Sequence, residues 1–185
     1  MILDPETPDQ HGPSWSPDGN WIVYRRLKAG KWELVKAPLG GGEPISFGET
    51  FGGVFETDWS PDGKWICYQK GDALSLVSAD GKTQKMLNTS GTAFGFSRDG
   101  AIVYVVRRRK ATREWELAEI TVPGGQEKKV TLLDLPATAN VAGFSLHPDG
   151  KRFLTSIARW PYDIWMLEGF DPPKPKTWLD GLLRR

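Results

Sequence analysis

Four aspartates at one position of a repeated tetrapeptide are the first residues of this chain that could do chemistry. Ser-Pro-Asp-Gly occurs at 16–19 and 60–63, and it returns as Ser-Arg-Asp-Gly at 97–100 and His-Pro-Asp-Gly at 147–150. Repeated carboxylates could bind a metal ion or act as acids and bases. A hairpin position already explains them, because an aspartate there accepts hydrogen bonds from the local backbone. No loop adds the further oxygen ligands that calcium needs, so we expect no metal site and no cofactor.

Other reactive residues are few. The chain has no Gly-x-Ser-x-Gly nucleophile motif and no Gly-x-x-x-x-Gly-Lys phosphate loop. His147 stands where the first two turns have serine, and His11 lies in a polar, proline-rich stretch. Cys67, the single cysteine, lies in an apolar run, where we expect a buried thiol and no internal disulfide. We therefore predict that the chain is not an enzyme.

The turns divide the chain into four similar units. Their glycines are 44, 37 and 50 residues apart, a spacing typical of propellers and solenoids. Each turn follows a large apolar residue: Trp15, Trp59, Phe96 or Leu146. Short β-branched and aromatic runs come after each turn, first at 21–24, 65–68, 101–104 and 153–155, then at 32–35, 74–77, 115–118 and 163–167, and in three units again at 44–47, 84–87 and 129–133. Such runs, bounded by Gly, Pro and Asp, are typical of strands.

These patterns predict an all-β protein of 185 residues, a β-propeller of four four-stranded blades. We place the blades at 1–170, with the Asp-Gly hairpin joining the first strand of each blade to the second. A proline-rich spacer and a short C-terminal tail follow at 171–185.

One stretch identifies the kind of repeat. Trp-Ser-Pro-Asp-Gly-Lys-Trp-Ile-Cys-Tyr at 59–68 resembles the WD-like propeller repeat of TolB-type proteins. Such repeats occur in periplasmic TolB, in propellers of the prolyl oligopeptidase family and behind bacterial serine/threonine kinase domains. The ending at 162–170 is similar to the C-terminal end of the kinase-linked group. The resemblance covers nearly the whole chain and implies a fold, but not one function, because this propeller serves many roles.

The fourth unit lacks an outer strand, and Ile2-Leu3-Asp4 stands at the right distance before the first turn to supply one. Three arrangements follow. The N-terminal strand could close a four-bladed ring, two chains could form an eight-bladed ring as a homodimer, or the chain could be the C-terminal part of a larger propeller.

The non-repeated feature is charge. Net charge is +1, yet the predicted second-to-third-strand loops at 25–31 and 107–114 carry +4 each. The candidate binding residues are Arg25, Arg26, Lys28 and Lys31 in the first loop, Arg107, Arg108, Arg109, Lys110 and Arg113 in the second, and Trp160 beside a proline in the fourth. Such a concentration can steer an acidic protein, a peptide or an anionic ligand, or it can be a solvated loop. Nucleic acid is disfavoured because no aromatic residues are spaced for base stacking.

Three functions fit these observations. The first is a non-catalytic binding or sensing module of a bacterial signalling protein. The second is a propeller fragment of a prolyl-oligopeptidase-like hydrolase that gates substrate access, and the third is a self-assembling structural unit. No signal peptide and no membrane-spanning stretch are visible, so we expect a cytoplasmic protein as the chain stands, or a periplasmic one if it is cut from a longer exported or anchored chain.

Overall fold

The computed structural model describes residues 9–51, 56–71, 73–87, 89–136, 138–147 and 149–158. These residues form fourteen β-strands and contain no helix. The strands make four antiparallel sheets, which we number as blades in chain order. Blade 1 has β1 (Gln10–Trp15), β2 (Trp21–Lys28), β3 (Lys31–Pro38) and β4 (Ile45–Thr50); blade 2 has β5 (Thr57–Trp59), β6 (Trp65–Lys70), β7 (Ala73–Ser78) and β8 (Gln84–Met86); blade 3 has β9 (Ala93–Phe96), β10 (Ile102–Arg108), β11 (Trp115–Thr121) and β12 (Glu127–Leu133); blade 4 has β13 (Asn140–Leu146) and β14 (Phe153–Ala158).

Each blade is a meander in which strands adjacent in sequence pair with each other. The predicted four-stranded unit is confirmed for blades 1, 2 and 3. The later strand predicted for blade 4 at 163–167, the N-terminal strand at 2–4 and the boundary between 170 and 171 lie outside the described residues.

The repeated tetrapeptide forms the turn between the first two strands of each blade. In blade 2, Ser60 Oγ donates to Asp62 Oδ1 at 2.7 Å and accepts the Trp65 N–H at 2.8 Å. Asp62 also accepts the Lys64 N–H at 3.1 Å, and Gly63 has a φ of 75°, which glycine adopts without strain. Equivalent bonds form in blades 1 and 3. The aspartates therefore build the hairpins, as their position indicated.

A fifth copy of this turn joins β7 to β8. Ser78 Oγ donates to Asp80 Oδ1 at 2.6 Å and accepts the Thr83 N–H at 3.0 Å. Sequence reasoning missed Ser-Ala-Asp-Gly at 78–81 because it lies between the third and fourth strands, out of phase with the other copies.

Apolar side chains fill the spaces between successive blades, because alternate residues of each strand point to opposite faces of the sheet. Val23 and Leu34 of blade 1 pack with Trp59 and Ile66 of blade 2. On the other face of blade 2, Cys67 and its neighbours pack against β9 and β10 of blade 3. Cys67 is fully buried, as predicted, and burial raises the pKa of its thiol. Blade 3 packs in turn against Val141 of blade 4.

The face of blade 1 that points away from blade 2 is also closed to solvent. Ile22, Tyr24, Val35 and Ala37 lie on it, and none is more than 7% exposed. Blade 4 differs, since Leu154 of β14 is 77% exposed. The closure of the ring stays a prediction.

Candidate binding face and propeller axis

The first basic segment is mainly strand, and the second begins in a strand. β2 runs to Lys28 and β3 begins at Lys31, so the first loop contains only Ala29 and Gly30, with φ angles of 51° and 77°. β10 runs to Arg108, and the second loop is limited to 109–114. The placement of Arg25, Arg26, Arg107 and Arg108 in loops was wrong, because the apolar runs used to place these strands stop before the arginines do.

Arg25 is a core residue of blade 1. Its side chain is fully buried, Nε donates to Thr50 Oγ1 at 3.0 Å, and the guanidinium lies 5.5 Å from the ring centroid of Trp32. Burial lowers the pKa of Arg25. A side chain that solvent does not reach cannot contact a partner without rearrangement of the blade.

Arg26 lies on the opposite face of the same blade, where it pairs with Glu33. Its Nε lies 2.7 Å from Glu33 Oε1, and Ser46 Oγ donates to the other carboxylate oxygen at 2.6 Å. Burial opposes ionisation of Glu33, but the hydrogen bonds from Ser46 and Arg26 outweigh it and lower the pKa of Glu33. This pair ties β2, β3 and β4 together.

Arg107 has the same kind of structural role in blade 3. Nε donates to Glu116 Oε1 and Nη1 to Glu127 Oε2, each at 2.9 Å, and Nη1 also donates to Thr89 Oγ1. The bond with Glu127 raises the pKa of Arg107, against the opposing effect of burial. Arg107 therefore joins β10, β11 and β12 to the connection from blade 2.

The remaining predicted cations are more accessible. Lys31 pairs with Glu49 at 2.6 Å in an exposed position, and Arg109 lies 3.4 Å from Glu114. Lys28, Lys110 and Arg113 are exposed and Arg108 is half-buried. None of these four takes part in the ion pairs found among the described residues. Trp160 lies outside the described residues.

The loop of blade 3 is held in a defined shape. The Arg113 N–H donates to the Arg109 carbonyl at 2.9 Å, and Arg108 Nε donates to the Arg113 carbonyl at 3.1 Å. Arg113 has a φ of 65°, in the left-handed region that few residues other than glycine adopt. These bonds present Lys110 and Arg113 on the side of the propeller opposite the Asp-Gly turns, because successive hairpins of a meander alternate between its two ends.

A cavity of about 240 Å³ marks the propeller axis. It is lined by residues of all four inner strands or their ends, among them Gly12, Glu56, Asp58, Phe94 and Gly143. Asp58 accepts the Phe96 N–H of blade 3 at 3.0 Å, and Glu56 accepts the Gly143 N–H of blade 4 at 2.5 Å. Thr57 donates its hydroxyl to the Gly12 carbonyl of blade 1. Three consecutive residues of blade 2 therefore hold the other three blades.

The two axial carboxyl groups are half-buried, and burial is the largest influence on the pKa of each. Burial raises the pKa of Asp58 to about 6, although N–H groups of Phe96 and Trp59 favour the charged form and Glu56 disfavours it. Burial likewise raises the pKa of Glu56, against hydrogen bonds from Gly143 and Phe94. Sequence reasoning missed both residues, although a signal existed: the residue before Trp15, Trp59, Phe96 and Leu146 is Ser14, Asp58, Gly95 and Ser145, and only blade 2 has an acid there.

A second cavity, of about 360 Å³, lies between the turns of blades 1 and 2. Lys36 enters it, with Nζ 2.6 Å from the Ala79 carbonyl and 4.4 Å from the ring centroid of Trp21. Burial lowers the pKa of Lys36, while Asp80 and Asp18 oppose the effect. The lysine thereby links β3 to the turn after β7.

The described residues hold neither a cluster of metal-ligating side chains nor a membrane-spanning helix. They contain no group of three or more His, Cys, Asp or Glu side chains arranged to hold a metal ion. They also contain no helix of the length and apolarity needed to cross a membrane.

No protein-family profile and no curated protein sequence matches the chain. Solved structures do resemble it. TolB from Acinetobacter baumannii has a TM-score of 0.61 at 20% identity, over 80% of this chain and 37% of that chain. The β-propeller domain of Cps50 (Swd1) from Myceliophteria thermophila has a TM-score of 0.56 at 12% identity, over 80% of this chain and 49% of that chain.

The β-propeller domain of the Trilobed protease from Pyrococcus furiosus, which has an open velcro topology, gives a TM-score of 0.54 at 13% identity, over 73% of this chain and 46% of that chain. At these identities the likeness shows the fold alone. The chain has the fold of a β-propeller, like that of TolB, and it spans less than half the length of these three proteins. The resemblance to kinase-linked propellers stays a prediction.

Proposed function

We propose that this chain is a non-catalytic β-propeller module that binds an acidic protein or peptide surface through the 109–114 loop of blade 3. The observation that carries the proposal is that Lys110 and Arg113 are exposed, form none of the ion pairs found among the described residues, and sit on a hairpin shaped by internal hydrogen bonds. A pre-shaped basic loop attracts an acidic partner and loses little conformational freedom on binding.

The Arg107 network supports this role indirectly. It anchors the base of the hairpin to β11 and β12 through Glu116 and Glu127. Arg108 lies between this anchor and the loop, and Arg109 is the first residue of the loop, so both contribute charge near the binding surface. Lys28 and Lys31 extend the basic character to the corresponding hairpin of blade 1.

The reactive side chains of the described residues favour binding over catalysis. Cys67 is buried and its pKa is raised, so its reactive thiolate form is suppressed. His11 packs against Trp32, with ring centroids 5.3 Å apart, and His147 Nδ1 accepts the Asp149 N–H within a turn. A place in a bacterial signalling protein belongs to the same proposal, but its support, the ending at 162–170, lies outside the described residues.

The test compares two double variants that lose the same charge from opposite faces. Lys110→Ser with Arg113→Ser changes the binding loop, and Lys82→Ser with Lys151→Ser changes exposed lysines of two Asp-Gly turns. The probe is a fluorescently labelled Asp/Glu-rich peptide, with affinity measured by anisotropy at low and physiological ionic strength. We expect the loop variant to bind roughly tenfold more weakly, about 0.7 kcal/mol for each lost charge. Equal weakening in both variants, or in neither, would contradict the assignment of the loop.

A further inference from the structure

Blade 2 differs from the other blades at the propeller axis, where it has two acidic residues that the repeated fold does not require. At the position of Asp58 the other blades have serine or glycine, and at the position of Glu56 they have Gly12, Ala93 and Gly143. Small neutral residues therefore suffice to form an inner strand. The two carboxyl groups of blade 2 add ionisable side chains at the axis, and the fold itself does not need them.

Both carboxyl groups hold other blades. Asp58 accepts the Phe96 N–H at 3.0 Å, and Glu56 accepts the Gly143 N–H at 2.5 Å across the cavity. The Phe96 backbone is buried, so an unsatisfied N–H there would destabilise the junction between blades 2 and 3. The two acids are thus part of the contact between blades 2, 3 and 4.

The charges on these groups are poorly compensated. Glu56 lies on the same segment as Asp58, and Cys67 faces Asp58 from β6 through the pairing of the two strands. From β9 the neighbours are Phe94, Gly95 and Phe96, and from β13 they are Gly143 and Phe144, none of which ionises. Gly12 and Pro13 face the cavity from β1. No lysine, arginine or histidine is among these described neighbours.

We propose that Glu56 and Asp58 form a proton-binding pair at the propeller axis, and that proton uptake in mildly acidic solution strengthens the junctions of blade 2 with blades 3 and 4. The neutral acid keeps a carbonyl oxygen that accepts the same backbone N–H. Protonation therefore retains the interblade bond and removes the cost of two like charges in a half-buried site.

The direction of the pH dependence follows from linkage. The pKa of Asp58 is about 6 in the folded protein and near 3.8 when it is exposed on unfolding. Between these values the folded protein binds more protons than the unfolded chain, so the contribution of Asp58 to stability is largest in acid and falls as pH rises to about 6. Above that value the contribution no longer changes.

The experiment compares wild type with Asp58→Asn, which keeps shape and hydrogen-bonding capacity without the charge, and with Glu56→Gln. Urea unfolding is followed from pH 4 to pH 8. The quantity compared is the unfolding constant of wild type divided by that of Asp58→Asn. We expect this ratio to rise roughly tenfold to hundredfold as pH increases from 4 to about 6, and then to stay level. Asp62→Asn is the matched control: the pKa of Asp62 is lowered below 3.8, so the unfolding constant of wild type relative to Asp62→Asn should stay nearly level from pH 4 to pH 8.

A second measurement keeps the proposal testable if Asp58→Asn does not fold. In wild type, NMR follows the Asp58 carboxyl carbon together with the amide protons of Phe96 and Gly143. We expect the Asp58 carboxyl carbon and the Phe96 amide to titrate with a midpoint near 6, and the Gly143 amide to titrate with a midpoint above that of an exposed glutamate, because burial raises the pKa of Glu56. A carboxyl midpoint at or below that of an exposed aspartate, or a difference between wild type and Asp58→Asn that does not change with pH, would overturn the proposal.

Discussion

The carboxylate of Asp58 accepts the backbone N–H of Phe96 at 3.0 Å, and this bond joins blade 2 to blade 3. Ser14 makes the same connection one blade earlier, since its hydroxyl accepts the Trp59 N–H at 3.1 Å. Both acceptors come directly before the large apolar residue of their own inner strand, and both donors are that residue in the next blade. The same interblade hydrogen bond therefore occurs at the first and second junctions of the propeller.

Ser14→Ala tests this bond at the first junction. The Trp59 N–H would lose its acceptor in a place where the residue is only 6% exposed, so we expect a loss of about 1–2 kcal/mol in the free energy of unfolding. Urea denaturation measures the change. Ser145→Ala is the matched control, because Ser145 has the same position in blade 4 and its hydroxyl makes no bond to another blade among the described residues; its effect should stay within about 0.5 kcal/mol. Equal losses in the two variants would contradict the repeated bond.

The third junction replaces the bond with aromatic packing. Gly95 offers no acceptor, and a Cβ at this position would lie 2.5 Å from Cδ1 of Phe144. Phe144 itself stacks between Tyr104 and Phe153, with ring centroids 6.1 and 5.1 Å away. The glycine therefore makes room for a ring of the next blade.

Gly95→Ala should accordingly destabilise the protein by about 1–3 kcal/mol, because Phe144 must leave its stacked position to admit the methyl group. Thermal unfolding and near-ultraviolet circular dichroism report stability and ring packing together. Gly40→Ala is the control, since a Cβ there meets nothing within 4 Å and φ is not positive. A stable Gly95→Ala protein with an unchanged aromatic signal would show that the contact is not needed.

The blades could be predicted from the sequence because each blade repeats the same turn residues and apolar runs. The turn residues and the apolar residues before them located the inner strands, and the later runs located the others. The sequence did not reveal that Arg25 and Arg107 lie in strands. A strand can continue through an arginine when other side chains accept its hydrogen bonds, as Thr50 does for Arg25 and two glutamates do for Arg107, and these partners are distant in sequence. Glu56 and Asp58 were missed for a related reason: their acceptor roles depend on N–H groups of other blades.

Arg107 provides a test of its structural role that is separate from binding. Among the described residues, Arg107→Ala would leave the carboxylate of Glu116, which is 4% exposed, with the longer contact of 3.6 Å to Arg109, so we expect a loss of about 2–3 kcal/mol in the free energy of unfolding. Lys110→Ala should change stability by less than about 0.5 kcal/mol. The cost of Arg107→Ala should shrink in a Glu116→Gln background, measured by urea unfolding as a double-mutant cycle. Additive effects would mean that the pair is not coupled.

The stability contributed by the Asp-Gly turns should depend on pH. Ser60→Ala removes the donor to Asp62 and the acceptor of the partly buried Trp65 N–H, and we expect a loss of about 1–2 kcal/mol in the free energy of unfolding at neutral pH. Ser78→Ala is the control in the more exposed fifth turn, where the same change should cost less. Burial opposes ionisation of Asp62, but the bonds from Ser60 and Lys64 lower its pKa below 3.8. Its stabilising effect is therefore complete above that value and disappears as pH falls through the lowered pKa. The gap between wild type and Ser60→Ala should narrow in strong acid, and a gap that widens there would contradict the role given to the turn aspartate.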